Sequence, residues 1–175
     1  MTLASGRHYL AIPGPSVVPD RVLAAMHRAS PNIYHGELVA MLPGLLDGLR
    51  RLVNAGSAKV AIYISNGHGV WEAANANMFS RGDRALVALT GHFGQGWADS
   101  ARAVGVEVET LDFGRQAAVD PERLEAALRA DRNRSIRAVL VTHTDTATTV
   151  RNDIAAIRRA IDAADHPALL AVDGI

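Results

Sequence analysis

Polar, glycine-rich segments directly follow several apolar runs of this chain, and the first of them has residue types that suit a phosphate group. Residues 65–69 read SNGHG and precede a segment with helical periodicity. Glycines let a backbone approach a ligand closely, and the first N–H groups of a helix attract anions. The segment equally fits a tight turn, and it matches neither the GxGxxG nor the Walker pattern. Phosphate binding and a simple turn therefore both stay open here.

Two further segments of this kind carry an aromatic group and a set of hydroxyls. Residues 90–97 read TGHFGQGW, in which Phe93 or Trp97 could stack on a planar ligand. Residues 143–149 read HTDTATT and combine hydroxyl groups with one carboxylate. Each segment also has a structural interpretation, because aromatic rings often pack on their own helix, and hydroxyl and carboxylate side chains often close turns.

Asp173 follows the last apolar run, ALLAV, and supplies an acid to this set. A carboxylate at the end of a buried strand requires a partner that offsets its desolvation: backbone N–H groups, a metal ion or a protonated heterocyclic nitrogen. Together the segments offer an anion-binding loop, an aromatic plate, hydroxyl groups and a buried acid. This combination predicts a site for a phosphorylated aromatic cofactor.

A metal-assisted hydrolase is the alternative from another class of enzyme. Its ligands would be the histidines and carboxylates near the strand ends, namely His68, His92, His143, Asp145 and Asp173. The sequence has no close-spaced ligand pair such as HExxH, which weakens this hypothesis.

The elements that must position these residues alternate between apolar runs of strand length and segments of helical period. Strands are predicted at 59–64, 85–90, 106–111, 137–142 and 168–172. Helices are predicted at 20–27, 37–54, 70–79, 96–104 and 121–130, and a sixth begins at an Asn152 cap and ends before Ala164. Pro43 and Gly44 are expected to kink or divide the second helix.

This alternation predicts an α/β fold, an open and mostly parallel sheet with helices on both faces. The near-continuous hydrophobicity of most strands fits a sheet that is covered on both sides. Ligands bind beyond the carboxyl ends of such strands, so the candidate segments are expected to meet at one edge of the sheet.

The amino-acid composition argues against several classes of binding partner. Of 175 residues, 18 are Lys or Arg and 18 are Asp or Glu, so the formal net charge is zero. Nucleic acids and anionic membranes usually require a basic excess, which argues against both as partners. The chain has no cysteine, which excludes disulfides and thiolate metal sites. Without a targeting segment or an apolar run of membrane-spanning length, a cytoplasmic protein is expected.

Six segments spread over nearly the whole chain share one resemblance. They read PGPSVVP at 13–19, SNGHGVWEAANANMFSRGD at 65–83, TGHFGQGW at 90–97, VDPERLEAAL at 119–128, HTDTATTVRNDIAAIR at 143–158 and HPALLAVDGI at 166–175. In this order and spacing they resemble the class V aminotransferases of pyridoxal-phosphate fold type I, most closely the serine–glyoxylate and alanine–glyoxylate group. The resemblance implies a pyridoxal 5'-phosphate cofactor and transfer of an amino group from serine or alanine to glyoxylate.

The resemblance also implies roles for individual residues around the cofactor. Asn66, Gly67 and His68 match the loop that holds the cofactor phosphate. Phe93 matches the aromatic residue that stacks on the pyridine ring, and Thr146 matches the hydroxyl residue near the phenolic oxygen.

The remaining matches concern the ring nitrogen and the substrate. Asp173 matches the acid that keeps the pyridine nitrogen protonated, and Ile175 matches an apolar side chain on the other face of the ring. Gly14, Tyr34 and His35 match segments near the substrate.

The lysine that forms a Schiff base with the cofactor in this family is expected beyond Ile175. Lys59 is the only lysine of the chain, and it is predicted to start a strand, at the opposite end from the binding loops. Residues 1–54 are then expected to form an N-terminal arm with helices, and 55–175 a cofactor-binding large domain truncated before that lysine. A catalytically incompetent fragment is the alternative. The full-length protein is expected to be a homodimer that takes an amino acid and a 2-oxo acid.

Overall fold

The computed structural model describes Leu10 and residues 16–175, and the chain divides into two units, Met1–Ala61 and Ile62–Ile175. The described part of the first unit forms α1 (Asp20–Met26) and α2 (Glu37–Leu52). Of the expected kink or division at Pro43 and Gly44, the division is wrong, because α2 continues through Pro43. A proline removes only its own N–H from the helical ladder, and the neighbouring bonds carry the helix through.

The second unit alternates helices and strands. Its main elements are α3 (Gly67–Met78), β1 (Arg84–Leu89), α4 (His92–Ala103), β2 (Glu107–Asp112), α5 (Pro121–Ala130), β3 (Ile136–Thr142), α6 (Ile154–Ala163) and β6 (Leu169–Asp173). Two short strands, β4 (Thr144–Asp145) and β5 (Val150–Arg151), pair antiparallel between β3 and α6. The other four strands form one parallel sheet in the order β2-β1-β3-β6, which confirms the predicted α/β class. No helix in the described residues is long and apolar enough to cross a membrane.

Helices cover both faces of this sheet, as predicted. Successive side chains of a strand point to opposite faces, and the central strands β1 and β3 are apolar on both. Leu86 and Val139 pack with α5 and α6 on one face, whereas Val87 and Leu140 pack with α3 and α4 on the other. Packing on both faces therefore fixes the strand ends and the loops that follow them.

Residues 59–64 do not form the predicted strand. A strand requires a neighbour with which to exchange backbone hydrogen bonds, and this segment has none among the described strands. Ile62 and Tyr63 are each 52% exposed and Ile64 is fully exposed. The position inferred for Lys59 at the start of a strand is therefore wrong as well, and Lys59 belongs to the first unit.

Two helices begin earlier than predicted, α3 at Gly67 rather than at residue 70 and α4 at His92 rather than at residue 96. Glycines lower helix propensity, but tertiary packing outweighs that preference here. A Cβ on Gly94 would lie 3.3 Å from Leu89 Cδ1, and a Cβ on Gly96 would lie 3.1 Å from the Trp71 ring. The glycines allow α4 to lie close to its neighbours.

The N-terminal cap of α6 is Asp153, not the predicted Asn152. The Asp153 carboxylate accepts a hydrogen bond from Ala156 N at 2.9 Å. Asn152 is buried instead, because its amide group has partners inside the fold.

Candidate functional site

The loops that the sequence singles out meet at the carboxyl edge of the sheet. Thr142 at the end of β3 lies beside Asp173 at the end of β6, and Ala88 near the end of β1 lies beside Val141. His143 N donates to the backbone oxygen of Asp173 at 2.8 Å. The turns after β1 and β3 and the acid after β6 are thus neighbours.

The first turn of α3 has backbone donors without a partner. Asn66 is the N-cap, and its Oδ1 accepts a hydrogen bond from Gly69 N at 3.2 Å. The N–H groups of Gly67 and His68 precede that bond and have no acceptor among the described residues. Asn is a preferred N-cap, and the free donors of a first turn favour an anion. The SNGHG segment is therefore a helix start with two open donors.

Trp71, for which the sequence pattern predicts no role, contacts three of the candidate side chains. Its Nε1 donates to Asp173 Oδ2 at 3.1 Å. Its ring centroid lies 4.6 Å from that of His68 and 6.4 Å from that of Phe93, and it stacks on Trp97 at 6.1 Å. Side chains three or four residues apart share a helix face, so the spacing of His68 and Trp71 is the sequence signal that could have identified it.

Asp173 is half-buried at the end of β6. Besides the Trp71 bond, its Oδ1 accepts a weak hydrogen bond from Ile175 N at 3.3 Å. No cation in the described part of the chain pairs with it. Asp173 lines a cavity of about 400 Å³ between α3 and β6, together with Gly67, Val70, Trp71 and Ile175 among others. Ile175 itself is 81% exposed.

Asp145 is fully buried. Its polar segment predicts a turn residue or a metal ligand, whereas its carboxylate accepts hydrogen bonds from the backbone of two segments. Phe93 N donates to Oδ2 at 2.8 Å, and Ala147 N donates to Oδ1 at 3.1 Å. Thr146 lies in the turn between Asp145 and Ala147, and it is exposed.

Asn152 joins the ends of β1 and β3. Its Nδ2 donates to the backbone oxygen of Thr142 at 2.8 Å and to Thr90 Oγ1 at 3.1 Å, and its Oδ1 accepts from Val119 N at 2.8 Å. This residue completes a buried polar layer beneath the edge. Only the fold reveals it, because the partners are distant in sequence.

The five proposed metal ligands do not form a metal centre. In the described residues, no group of three or more His, Cys, Asp or Glu side chains is arranged to hold a metal ion. Both oxygens of Asp145 are already engaged by backbone N–H groups. The structure therefore gives the hydrolase hypothesis no support.

The candidates near the substrate belong to the N-terminal part of the chain. Tyr34 and His35 belong to the first unit and are exposed, and their N–H groups donate to Asn32 Oδ1 at 2.8 and 3.2 Å. Gly14 lies outside the described residues.

Known proteins similar to this chain include several aminotransferases. The chain is 38% identical to a serine–glyoxylate aminotransferase of Methylorubrum extorquens, over 99% of the chain and 43% of that protein. It is 41% identical to an L-aspartate–glyoxylate aminotransferase of Paracoccus denitrificans, over 94% of the chain and 41% of that protein. The chain thus spans less than half the length of these curated relatives.

Solved structures show the same fold. The ureidoglycine–glyoxylate aminotransferase of Bacillus subtilis superposes with a TM-score of 0.78 at 23% identity, over 93% of this chain and 41% of that one. The pyridoxamine–pyruvate aminotransferase of Mesorhizobium loti superposes with a TM-score of 0.73 at 24% identity, over 93% and 40%. The family model for class-V aminotransferases matches residues 8–175, nearly the whole chain. The chain belongs to the class-V aminotransferase family.

Proposed function

We propose that this chain forms the N-terminal part of a pyridoxal-phosphate-dependent aminotransferase, with the cofactor held at the carboxyl edge of the sheet in the second unit. One observation carries the proposal. In a chain of this family, the half-buried carboxylate of Asp173 and the open N–H groups at the start of α3 flank one cavity. An acid and an anion-binding helix start on one edge suit the two ends of a phosphorylated pyridine.

The residues present fit this cofactor. The two free donors of the α3 first turn suit a phosphate, because helix N-termini favour anions. Asp173 has no cationic partner among the described residues, so a protonated ring nitrogen would balance its charge. The half-buried ring of Phe93 and the exposed hydroxyl of Thr146 belong to the turns that follow β1 and β3 at the same edge.

Each of these residues would then perform one task. The backbone N–H groups of Gly67 and His68 bind the phosphate, with Asn66 holding the helix start in shape. Asp173 keeps a proton on the pyridine nitrogen, and Trp71 orients Asp173 through its N–H group. Phe93 and Ile175 would hold the ring through apolar contacts, and Thr146 would donate a hydrogen bond to the phenolic oxygen. When bound, pyridoxal phosphate supplies an electron sink for the carbanion that forms when the substrate Cα loses its proton.

The proposed reaction moves an amino group from serine or alanine to glyoxylate, which becomes glycine. Support for glyoxylate comes from relatives that are named serine–glyoxylate and L-aspartate–glyoxylate aminotransferases. Because those relatives differ in the amino donor, serine and alanine have to be compared with aspartate. The Schiff-base lysine is proposed to follow Ile175, and the complete protein is proposed to be a cytoplasmic homodimer.

The test is an absorbance scan of the purified complete protein after addition of pyridoxal phosphate, followed by assays of glycine formation from glyoxylate. A visible band that borohydride removes, and glycine formation with serine or alanine, are the expected results. A band without glycine formation would contradict the reaction but not the cofactor. The absence of both would contradict the proposal and favour a catalytically incompetent protein.

A further inference from the structure

A single buried carboxylate joins two of the turns at the carboxyl edge. The aromatic turn, residues 90–93, follows β1 and leads to Phe93. The hydroxyl loop, residues 143–149, follows β3 and contains Thr146. Asp145 belongs to the second segment and bonds to both.

The two oxygens of Asp145 have separate tasks. Oδ2 accepts from Phe93 N at 2.8 Å, with a longer contact from Gly94 N at 3.4 Å, and so caps the start of α4. Oδ1 accepts from Ala147 N at 3.1 Å and closes the turn that contains Thr146. Each oxygen therefore holds the backbone next to a different cofactor-facing candidate.

Gly91 leaves room for this carboxylate because it has no side chain. A Cβ on Gly91 would lie 2.4 Å from both Cγ and Oδ2 of Asp145, closer than any real contact allows. Because Asp145 is fully buried, its side chain has little room to yield. The carboxylate can therefore occupy this position only because residue 91 is a glycine.

The charge of Asp145 is balanced by the backbone rather than by a cation. No ion pair of Asp145 is found in the described part of the chain. A buried carboxylate is tolerated when N–H donors and the positive end of a helix replace its hydration. An uncharged side chain at position 145 could also close the turn at Ala147, and its burial would cost less desolvation energy. It would not offer a second strong acceptor to the first N–H groups of α4.

We propose that Asp145 is a positioning residue, which holds the aromatic turn and the hydroxyl loop at a fixed separation and thereby sets the space for the cofactor ring between Phe93 and Thr146. This inference rests on the function proposed above. Asp145 acts through the backbone of both segments and does not itself touch the cofactor.

The decisive variant is Asp145→Asn in the complete protein. A carboxylate offers an acceptor oxygen on each side, whereas an amide offers one oxygen and one NH₂ group. The variant can therefore accept from Phe93 N or from Ala147 N, but not from both. Its matched control is Asp131→Asn, which changes a second mostly buried carboxylate that also accepts bonds on both oxygens, at the amino end of the same sheet.

Three measurements are made on both variants: the thermal midpoint, the Kd for pyridoxal phosphate, and the circular dichroism of the bound cofactor. We expect both variants to lose thermal stability. Asp145→Asn should bind about tenfold more weakly or worse, the scale of a lost hydrogen bond to a charged group, and its cofactor band should change because the ring lies differently. Asp131→Asn should bind like the unmodified protein.

Equal cofactor affinity and an unchanged band in Asp145→Asn would overturn the positioning role while leaving the proposed function intact. An equal loss in Asp131→Asn would overturn it too, since general destabilisation would then explain the effect. If the unmodified protein does not bind pyridoxal phosphate, the proposed function fails and this inference fails with it.

A second variant covers the case in which Asp145→Asn does not fold. Gly91→Ala keeps the carboxylate and its charge but displaces it sterically. The same weakening and the same change in the cofactor band are expected. Unchanged values would overturn the role.

Discussion

The two ends of the parallel sheet each hold a buried carboxylate, Asp145 at the carboxyl end and Asp131 at the amino end, but their surroundings differ. At the amino end, Asp131 Oδ2 accepts from Ile136 N at 2.8 Å and from His166 Nε2 at 3.3 Å, and Arg84 lies 3.4 Å from Oδ1. At the carboxyl end, donors at the start of α3 and the carboxylate of Asp173 are left available.

This difference separates stability from function. Burial alone would raise the pKa of Asp131, but hydrogen bonds from Ile136 N–H, the Ser135 hydroxyl and His166 outweigh it and hold the pKa below the ordinary value. The Asp131 carboxylate is therefore fully engaged by protein groups, and its role is to stabilise the fold. At the carboxyl end, the buried side chains of Asp145 and Asn152 are satisfied by protein groups, whereas the buried Thr142 hydroxyl has no partner among the described residues. Together with the open donors of α3 and the Asp173 carboxylate, this is the arrangement of a binding site.

The largest effect is expected from Asp173→Asn at the carboxyl end. An amide cannot keep a proton on a pyridine nitrogen, so kcat should fall on the order of a hundredfold, the scale seen when a group that stabilises developing charge is lost. Steady-state kinetics with serine and glyoxylate measure this. An unchanged kcat would remove Asp173 from the proposed mechanism.

The amino end should respond in stability alone. Asp131→Ala leaves Ile136 N and His166 without their buried acceptor, so the free energy of unfolding should fall by about 2 kcal/mol. Urea unfolding measures the loss, and kcat and cofactor affinity of the folded variant should not change. A specific loss of cofactor affinity would break the separation between the two ends.

A smaller effect is expected from Trp71→Phe. Phenylalanine retains an aromatic ring near Trp97 but lacks the N–H group that donates to Asp173 Oδ2. Without that bond Asp173 is less firmly oriented, and kcat should fall about tenfold, in line with a lost bond to a charged acceptor. Trp97→Phe is the control, because Trp97 Nε1 donates to Asn75 and not to Asp173. Equal losses in both variants would indicate packing rather than orientation.

The smallest effect is expected in the stability of the protein at acidic pH. Because the folded-state pKa of Asp131 is below its ordinary value of about 3.9, its stabilising contribution is present above that value and is lost as the pH falls through the folded-state pKa. The stability difference between the unmodified protein and Asp131→Asn should therefore be present at about pH 5 and shrink as the pH falls below about 4. Urea unfolding over that pH range measures it. A difference that grows in acid would contradict the sign.

Local pattern was sufficient to predict the elements of the sheet. The four strands that form it lie within one residue of the predicted ends, and α5 spans residues 121–130 as predicted from its Asp120 cap and Pro121. Strand length, burial and capping are properties of short segments, so a sequence pattern is enough to detect them.

Properties that depend on distant partners could not be predicted in this way. The run at 59–64 has the composition of a strand, but strand pairing is decided by a neighbour elsewhere in the chain. Asp145 and Asn152 look like turn and cap residues, because each stands in a polar segment, whereas their partners Phe93 and Thr90 are more than 50 residues away. The spacing of Trp71 and His68 places both on one helix face, but the bond from Trp71 to Asp173 does not follow from local pattern, since Asp173 lies 102 residues further along.

Hydrogen exchange of the complete protein, with and without pyridoxal phosphate, tests most directly whether the carboxyl edge of the sheet holds the cofactor. The cofactor should slow exchange at the start of α3, in the aromatic turn and in the hydroxyl loop, and leave segments 131–136 and 166–168 at the amino end unchanged. Protection confined to the amino end, or no protection anywhere in this chain, would contradict the assignment.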